Sequence, residues 1–140
     1  MNLEKIGIIV TQEDITNLHM VSLICSGEIV MDREVIIFFM GKAVEQLQNC
    51  RIQNNWQKKS NISLSDKKIL ENYKKKRQKN WIEILKESKK IGRLKIYVCS
   101  SMLEILKKNI EDLSDIVQEA KGITFLTEEV ISEVDKLLTF

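Results

Sequence analysis

Apolar residues fall along this chain in two alternating patterns. Three short segments are almost entirely apolar, which is typical of parallel strands covered on both faces. These segments are residues 4–10, 34–40 and 93–99. Between them, apolar residues recur every three or four positions, as they do on one face of a helix. The first such helix follows residue 14, and Gly27 lies near its end, as expected of a helix terminator.

The last third of the chain has a weaker pattern. It predicts a short helix from residue 111, a short strand near 116–118, helical spacing over 123–134 and a final strand at 136–140. Strands that alternate with helices indicate a mostly parallel sheet between layers of helices. We therefore predict a single α/β domain over residues 1–140, with a three-layer α/β/α architecture and about five strands.

A cysteine lies where the third predicted strand meets the next helix. The carboxyl ends of the strands, where parallel α/β proteins bind ligands, are residues 11–12, 40–41 and 99–100. Ser101 and Glu104 have the spacing of a capping box, so Cys99 is expected just before the helix N-terminus. Unpaired amides there favour a thiolate, provided that the thiol is exposed. The alternative is that Cys99 is a small apolar residue that packs at the end of a strand.

The other candidate side chains have weaker support. Cys25 is predicted on the apolar side of the first helix, and Cys50 is a possible second thiol beside Arg51. His19, the only histidine, is expected to be packed or solvent-facing rather than a catalytic base. One histidine and no CxxC pair give too few ligands for a zinc site. No GxGxxG or P-loop motif is present, so neither a metal nor a cofactor is predicted.

Positive charge is concentrated in residues 51–80, which we interpret as a basic insertion within the domain. This stretch holds ten Lys/Arg and two Asp/Glu, a net charge of +8, whereas the other 110 residues carry −6. Trp56, Tyr73 and Trp81 lie in or beside it, so the stretch is a candidate site for an acidic partner or RNA. No nucleic-acid-binding signature accompanies the stretch, and its lysine run has the character of a solvated helix face, so nucleic acid is not the expected partner.

The sequence also bears on location. No apolar stretch approaches the roughly 18–20 residues that cross a bilayer. The N-terminal MNLEKIGIIV enters a strand pattern at once and contains no evident signal peptide. We predict no membrane association, and the expected location is the cytoplasm.

Four segments, taken in order, carry a family resemblance. They are KIGIIV, EVIIFFMGKAVEQL, WIEILKESKKIGRLKIYVCSSMLEILKKNIEDL, and GITFLTEEV with the terminal LLTF. In the third segment a helix leads to a strand that ends in Cys99, and a second helix containing a methionine follows. Together the segments resemble the DsrE/DsrF family of small sulfur-relay proteins, and within it the archaeal-type DsrE-like sulfurtransferases.

The resemblance implies that Cys99 carries a persulfide or thiosulfonate group, which it passes to a partner protein, commonly a TusA-like carrier. It also implies a homo-oligomer, a trimer or a hexamer, with active cysteines near subunit interfaces. Ser100 and Ser101, with the first amides of the following helix, are expected to stabilise anionic oxygens. The helix after Cys99 contains no second cysteine, so a two-cysteine mechanism would need Cys50.

Two hypotheses of function follow from these observations. The first is a sulfur carrier or sulfurtransferase in which the Cys99 thiolate accepts sulfur and passes it to a partner thiol. The second is a non-catalytic oligomeric interaction module, in which residues 51–80 bind an acidic partner or RNA and Cys99 only packs. The reactivity of Cys99 in the native protein distinguishes them, because a buried thiol reacts slowly until the protein unfolds.

Overall fold

A five-stranded parallel sheet forms the centre of the molecule. The computed structural model describes residues 3–57 and 62–140. Its strands are β1 (Lys5–Val10), β2 (Glu34–Phe39), β3 (Leu94–Cys99), β4 (Glu119–Lys121) and β5 (Lys136–Thr139). Neighbouring strands all pair in parallel, in the order β4-β3-β2-β1-β5. The predicted α/β class, with a parallel sheet of about five strands, is therefore confirmed.

Helical segments connect the strands. The α-helices are α1 (Ile15–Val30), α2 (Asn49–Gln53), α3 (Leu64–Lys74), α4 (Trp81–Ile91), α5 (Ser100–Leu106) and α6 (Ile123–Phe125). Two 3₁₀ segments, Gly41–Leu47 and Ile110–Asp112, and a π-helical segment, Leu126–Ile131, complete the connections.

The two faces of the sheet enter two separate hydrophobic clusters. Successive residues of a strand point to opposite faces, and accordingly Ile37 joins the larger cluster and Phe38 the smaller one. The larger cluster is completed by buried residues of α1, α3 and α4. The smaller cluster is completed by Leu126 and Val130 of the π-helical segment. The second face of the sheet is thus covered by the connection from β4 to β5, which gives the predicted three layers.

Aromatic side chains of the basic stretch belong to the core. The ring of Trp56 lies 5.7 Å from that of Trp81 and 5.9 Å from that of Tyr73, measured between centroids. All three residues are buried, and the indole nitrogen of Trp56 donates a hydrogen bond to the backbone oxygen of Gln46 at 2.9 Å. Stacking on RNA bases needs exposed rings, so these three aromatic residues do not supply a nucleic-acid surface.

Helix α3 ties the basic stretch to the rest of the fold. One carboxylate oxygen of Asp66 accepts hydrogen bonds from the backbone nitrogen of Thr16 at 2.8 Å and from its hydroxyl at 2.6 Å. These bonds hold the first turn of α3 against the first turn of α1. Residues 58–61 of the predicted insertion lie outside the described residues.

Two predicted boundaries differ from the structure. Helix α1 continues past Gly27 to Val30, and the chain leaves the helix at Asp32, whose φ of 60° is left-handed. The strand predicted near 116–118 is instead β4 at Glu119–Lys121. The reason is that Ile116 and Val117 are buried in the larger cluster as part of a loop.

Candidate functional site

Cys99 lies at the junction of a strand and a helix, as the sequence predicted. It is the last residue of β3 and the N-cap residue of α5. The predicted capping box is wrong, because α5 begins at Ser100 and no side chain caps it. Ser101 is therefore already inside the helix, where its side chain is exposed. Helix α5 has only seven residues, so its dipole is a minor influence on the thiol.

The thiol of Cys99 points to the second face of the sheet. Cys99 is 5% exposed and belongs to the smaller cluster with Phe38, Leu126 and Val130. The sequence left open whether this thiol faces solvent or the core, and the structure places it in the margin of the core. The cover over this face includes Phe125 of α6 and the π-helical segment. That cover includes a π-helix, a rare conformation that is frequent at functional sites.

A cation lies beside Cys99 on the neighbouring strand. Cys99 pairs in register with Lys121 of β4, and residues paired in register point to the same face. The ammonium of Lys121 is 2.8 Å from a carboxylate oxygen of Glu119 and 5.1 Å from the centroid of the Phe125 ring. The hydrogen bond to Glu119 is the main cause that raises the pKa of Lys121, so its charge persists. Sequence reasoning missed Lys121 because it placed the strand too early.

Ser100 borders the turn that follows β4. A Cβ atom built on Gly122 would lie 3.9 Å from the Ser100 hydroxyl oxygen, so this hydroxyl lies close to the backbone at Gly122. Ser100 is half-buried. The structure therefore brings together Cys99, Lys121 and Ser100 at the carboxyl edge of the sheet.

The other two cysteines occupy different environments. All three cysteines are free thiols. Cys25 is fully buried in α1, as predicted, and burial, followed by the charge of Glu28, raises its pKa to about 12. Cys50 is exposed in α2. The residue before it, Asn49, donates a side-chain hydrogen bond to the backbone oxygen of Leu113. Cys50 belongs to neither hydrophobic cluster, so no shared packing joins it to Cys99.

His19 is a packed residue of α1. Its Nδ1 lies 2.6 Å from the hydroxyl of Tyr73, and burial lowers the pKa of His19. The ring is buried beside the ring of Tyr73, at 5.6 Å between centroids. This arrangement agrees with a structural histidine of the helical layer on the first face.

A separate cleft of about 620 Å³ opens between α2, α4 and the connection from β3 to β4. Its walls include the side chains of Asn49, Ile52, Ile82, Lys86, Asp115 and Gln118. The ion pair between Lys86 and Asp115, at 3.3 Å, spans part of it. Cys99 does not line this cleft, so the thiol and the cleft are distinct features of the molecule.

Two further observations concern residues 3–57 and 62–140. Across these ranges no group of three or more His, Cys, Asp or Glu side chains is arranged to hold a metal ion. In the same part of the chain, no helix combines the length and the apolar character that crossing a membrane requires.

Comparison with known proteins shows the fold. No protein-family model matches the chain, and no curated protein matches it. The structure is similar to that of the ychN protein from E. coli, with a TM-score of 0.62 and 18% identity over 99% of this chain and 100% of that one. It is also similar to BT1422, a conserved protein of unknown function from Bacteroides thetaiotaomicron, with a TM-score of 0.61 and 12% identity over 98% of this chain and 95% of that one.

A third similar structure is MTH1491, a protein of unknown function from Methanobacterium thermoautotrophicum. Its TM-score is 0.55 at 10% identity, over 98% of this chain and 99% of that one. The same fold thus extends over almost the whole length of each protein. At such identities the likeness concerns the fold and not the chemistry.

Proposed function

We propose that this protein is a sulfur carrier whose Cys99 accepts a sulfane-sulfur or thiosulfonate group and passes it to a partner thiol. The observation that carries the proposal is the in-register pairing of Cys99 with Lys121 at the carboxyl edge of the sheet. This edge is where parallel α/β proteins bind ligands. The fold and the resemblance to DsrE/DsrF proteins are compatible with this chemistry.

The transfer consists of two exchange steps at Cys99. In the first, the thiolate attacks the outer sulfur of a persulfide donor, R–S–SH. A new S–S bond forms, the S–S bond of the donor breaks, and the donor leaves as R–S⁻ with the bonding electron pair. In the second, a partner thiolate attacks the outer sulfur on Cys99 and releases the Cys99 thiolate. Neither step needs an external oxidant or reductant.

Two neighbouring groups support the anionic sulfur in this proposal. The Lys121 ammonium is on the same face as Cys99, and it attracts an anionic donor and the persulfide anion. The Ser100 hydroxyl donates a hydrogen bond to the oxygens of a thiosulfonate adduct. Ser101 is exposed on α5, where it belongs to the surface that a partner contacts in this proposal. We further propose a TusA-like acceptor, a cytoplasmic location and a homo-oligomer, all of which follow from the sequence analysis.

Intact-protein mass spectrometry tests the proposal. Because Cys50 is exposed and can react on its own, the experiment compares Cys50→Ser with Cys50→Ser/Cys99→Ser. Native protein is incubated with polysulfide, and we expect a reducible adduct of one or more sulfur atoms on the first variant alone. A partner thiol such as glutathione should remove it. Equal adducts on both variants, or an adduct that forms only after unfolding, would contradict the proposal.

The role of Lys121 has its own pair of variants. With an anionic donor such as tetrathionate, Lys121→Met should slow adduct formation on Cys99 by a factor of roughly three to five, because one partly exposed charge has a modest effect. Lys121→Arg keeps the charge and should retain most of the rate. Added salt should slow the parent more than the Met variant. Equal rates of adduct formation in the parent and both variants would show that Lys121 does not assist the reaction of Cys99.

A second candidate function is the interaction module of the sequence analysis. The observation in its favour is the run 74–77, four exposed cations at the end of α3. A shallow cleft of about 440 Å³ beside the run is lined by Lys76, Arg77 and Lys79. In this function an acidic protein binds the cations, and the binding weakens steeply with salt. Charge reversal at Lys76 and Arg77 would abolish such binding and leave sulfur uptake by Cys99 unchanged.

A further inference from the structure

A shallow, positively charged cleft lies at the connection between α3 and α4. It has a volume of about 440 Å³, and three exposed cations line it: Lys76, Arg77 and Lys79. The ammonium of Lys79 pairs with the carboxylate of Glu87. Within residues 3–57 and 62–140, neither Lys76 nor Arg77 makes an ion pair, so both charges are available to a ligand.

An acidic side chain, Glu83, also lines the cleft. One of its carboxylate oxygens accepts a hydrogen bond from the backbone nitrogen of Asn80 at 3.2 Å, as part of the capping box that begins α4. This carboxylate is therefore engaged by the start of the helix. The cations of the cleft outnumber it, and the N-terminus of the eleven-residue helix α4 adds to the positive potential.

The inner wall of the cleft contains a chain of polar contacts. Tyr73 and Gln78 line the cleft, and His19 of α1 contacts both of them. Nδ1 of His19 lies 2.6 Å from the Tyr73 hydroxyl, and its Nε2 lies 3.5 Å from the amide nitrogen of Gln78. The Tyr73 hydroxyl also accepts a hydrogen bond from the backbone N–H of Trp81. His19 and Tyr73 are only 8% and 6% exposed, so solvent contributes little to these contacts.

This chain of contacts contains one donor proton too many. Burial lowers the pKa of His19 and raises that of Tyr73, so the imidazole carries one proton and the phenol keeps its own. These two residues and their two neighbours then bring four protons to three contacts. Either the Nε2–H of His19 faces the Gln78 nitrogen, donor against donor, or the Tyr73 hydroxyl proton has no acceptor in the chain. A buried donor without an acceptor is unfavourable, and an acceptor can reach it from the cleft.

We propose that the cleft binds a phosphate group, with the surplus donor of the His19–Tyr73 pair on one phosphate oxygen and the cations Lys76 and Arg77 on the others. A phosphate group presents several acceptor oxygens and a charge of about −1.5 to −2 at pH 7. It therefore matches a site that combines a neutral donor with two unpaired cations. A water molecule would satisfy the donor alone, and it would gain nothing from the two charges.

This site differs from both functions proposed above. Cys99 belongs to the smaller cluster on the second face of the sheet, whereas His19 and Tyr73 lie in the helical layer on the first face. The interaction module uses only the cations at the rim, and it does not involve the buried donors. A phosphate site is therefore distinguishable from either function by what happens at the His19 ring.

NMR of the imidazole ring tests the proposal. His19 is the only histidine, so its ring signals are identified at once. Inorganic phosphate is titrated to about 50 mM, enough to saturate a site of millimolar affinity, with chloride holding the ionic strength constant. We expect the ring nitrogen signals to shift and the shift to saturate. An unmoved ring would overturn the proposal, because it would mean that Gln78 turns its amide oxygen to His19 and completes the chain without a ligand.

Two further titrations identify the source of the phosphate group. O-phosphoserine binding as tightly as inorganic phosphate would assign the site to the phosphate group alone, and tighter binding would assign it to a phosphate monoester. A glutamate-only peptide carries charge without phosphate. If this peptide moved the His19 ring signals as strongly as phosphate does, the cleft would belong to the interaction module and the proposal would fail.

Charge-neutralising variants test the rim of the cleft. Lys76→Gln/Arg77→Gln should weaken phosphate binding by a factor of roughly five to ten, because each exposed charge contributes modestly. Lys74→Gln/Lys75→Gln is the matched control, since it removes two cations of the same run that do not line the cleft. Because salt screens charges outside the cleft, the control should weaken binding by less than about twofold. Equal weakening in the two variants would contradict a defined site, because general attraction by the basic run would then explain the binding.

Discussion

The contact between Gly92 and α1 allows a quantitative test of the packing. Gly92 ends α4 with φ of −150° and ψ of −170°, an extended conformation that alanine also adopts. A Cβ atom at Gly92 would lie 2.4 Å from Cγ2 and 3.2 Å from Cδ1 of Ile29. Ile29 is buried in the larger cluster, so it has little freedom to move away. We therefore expect Gly92→Ala to force α1 and the turn after α4 apart.

The size of the effect follows from two opposing contributions. Overpacking a core by one methyl group destabilises by about 1–3 kcal/mol. Replacing glycine by alanine also reduces the entropy of the unfolded chain, which stabilises by about 0.4–1 kcal/mol. Gly92→Ala should thus lower the free energy of unfolding by about 1 kcal/mol, within a range of about 0–2.6 kcal/mol. The sign of this change is itself informative, because alanine at an uncrowded glycine would raise the free energy of unfolding.

A double-mutant cycle in urea isolates the contact. Ile29→Ala removes both crowding atoms and leaves a cavity, which should lower the free energy of unfolding by about 2–5 kcal/mol. The added methyl of Gly92→Ala then occupies part of that cavity, so the double variant should be more stable than the sum of the single effects predicts. If the two effects are additive, or if Gly92→Ala stabilises the protein, the crowding argument is refuted.

Two other expectations concern titration and reactivity. Burial lowers the pKa of His19 below 6.5, so the unfolded chain binds more protons than the native protein as the pH falls through that value. The melting temperature should therefore fall between pH 7 and pH 5, and it should fall less in His19→Gln. An equal fall in the two proteins would show that His19 is not the cause. An alkylating agent should modify the exposed Cys50 first, then Cys99 while the protein is still folded, and Cys25 only on unfolding. Peptide mapping at successive times can verify this order.

The sheet could be predicted from the sequence because its central strands carry a strong local signal. β1 and β2 consist mostly of Ile, Val and Phe, and their buried positions agree with burial on both faces. β4 carries no such signal, since Glu119, Ala120 and Lys121 are polar or small and pair over only three residues. Its position is determined by tertiary packing of the preceding residues, which no local pattern records.

The candidate site was only partly predictable for the same reason. Cys99 ends a clear strand, so its place at the carboxyl edge of the sheet could be inferred from the sequence alone. Its burial could not, because the residues that cover it, Leu126 and Val130, come from a distant part of the chain. Gly27 shows a different limit. A glycine near the end of a helix reads as a terminator in the sequence, whereas α1 continues past it to Val30.

The register of β4 connects the fold to the proposed chemistry, and Gln118 determines that register. Its backbone nitrogen donates to the oxygen of Ile96 at 2.8 Å, and its side-chain oxygen accepts from the nitrogen of Ile96 at 2.7 Å. Because a slip of one residue would turn every side chain of β4 to the other face, these bonds keep Lys121 beside Cys99. Gln118→Ala should therefore slow tetrathionate uptake by Cys99 as Lys121→Met does, while Gln118→Glu keeps an acceptor oxygen and should be affected less. Parent-like uptake by Gln118→Ala, in a variant shown to be destabilised, would mean that the register of β4 does not control the site.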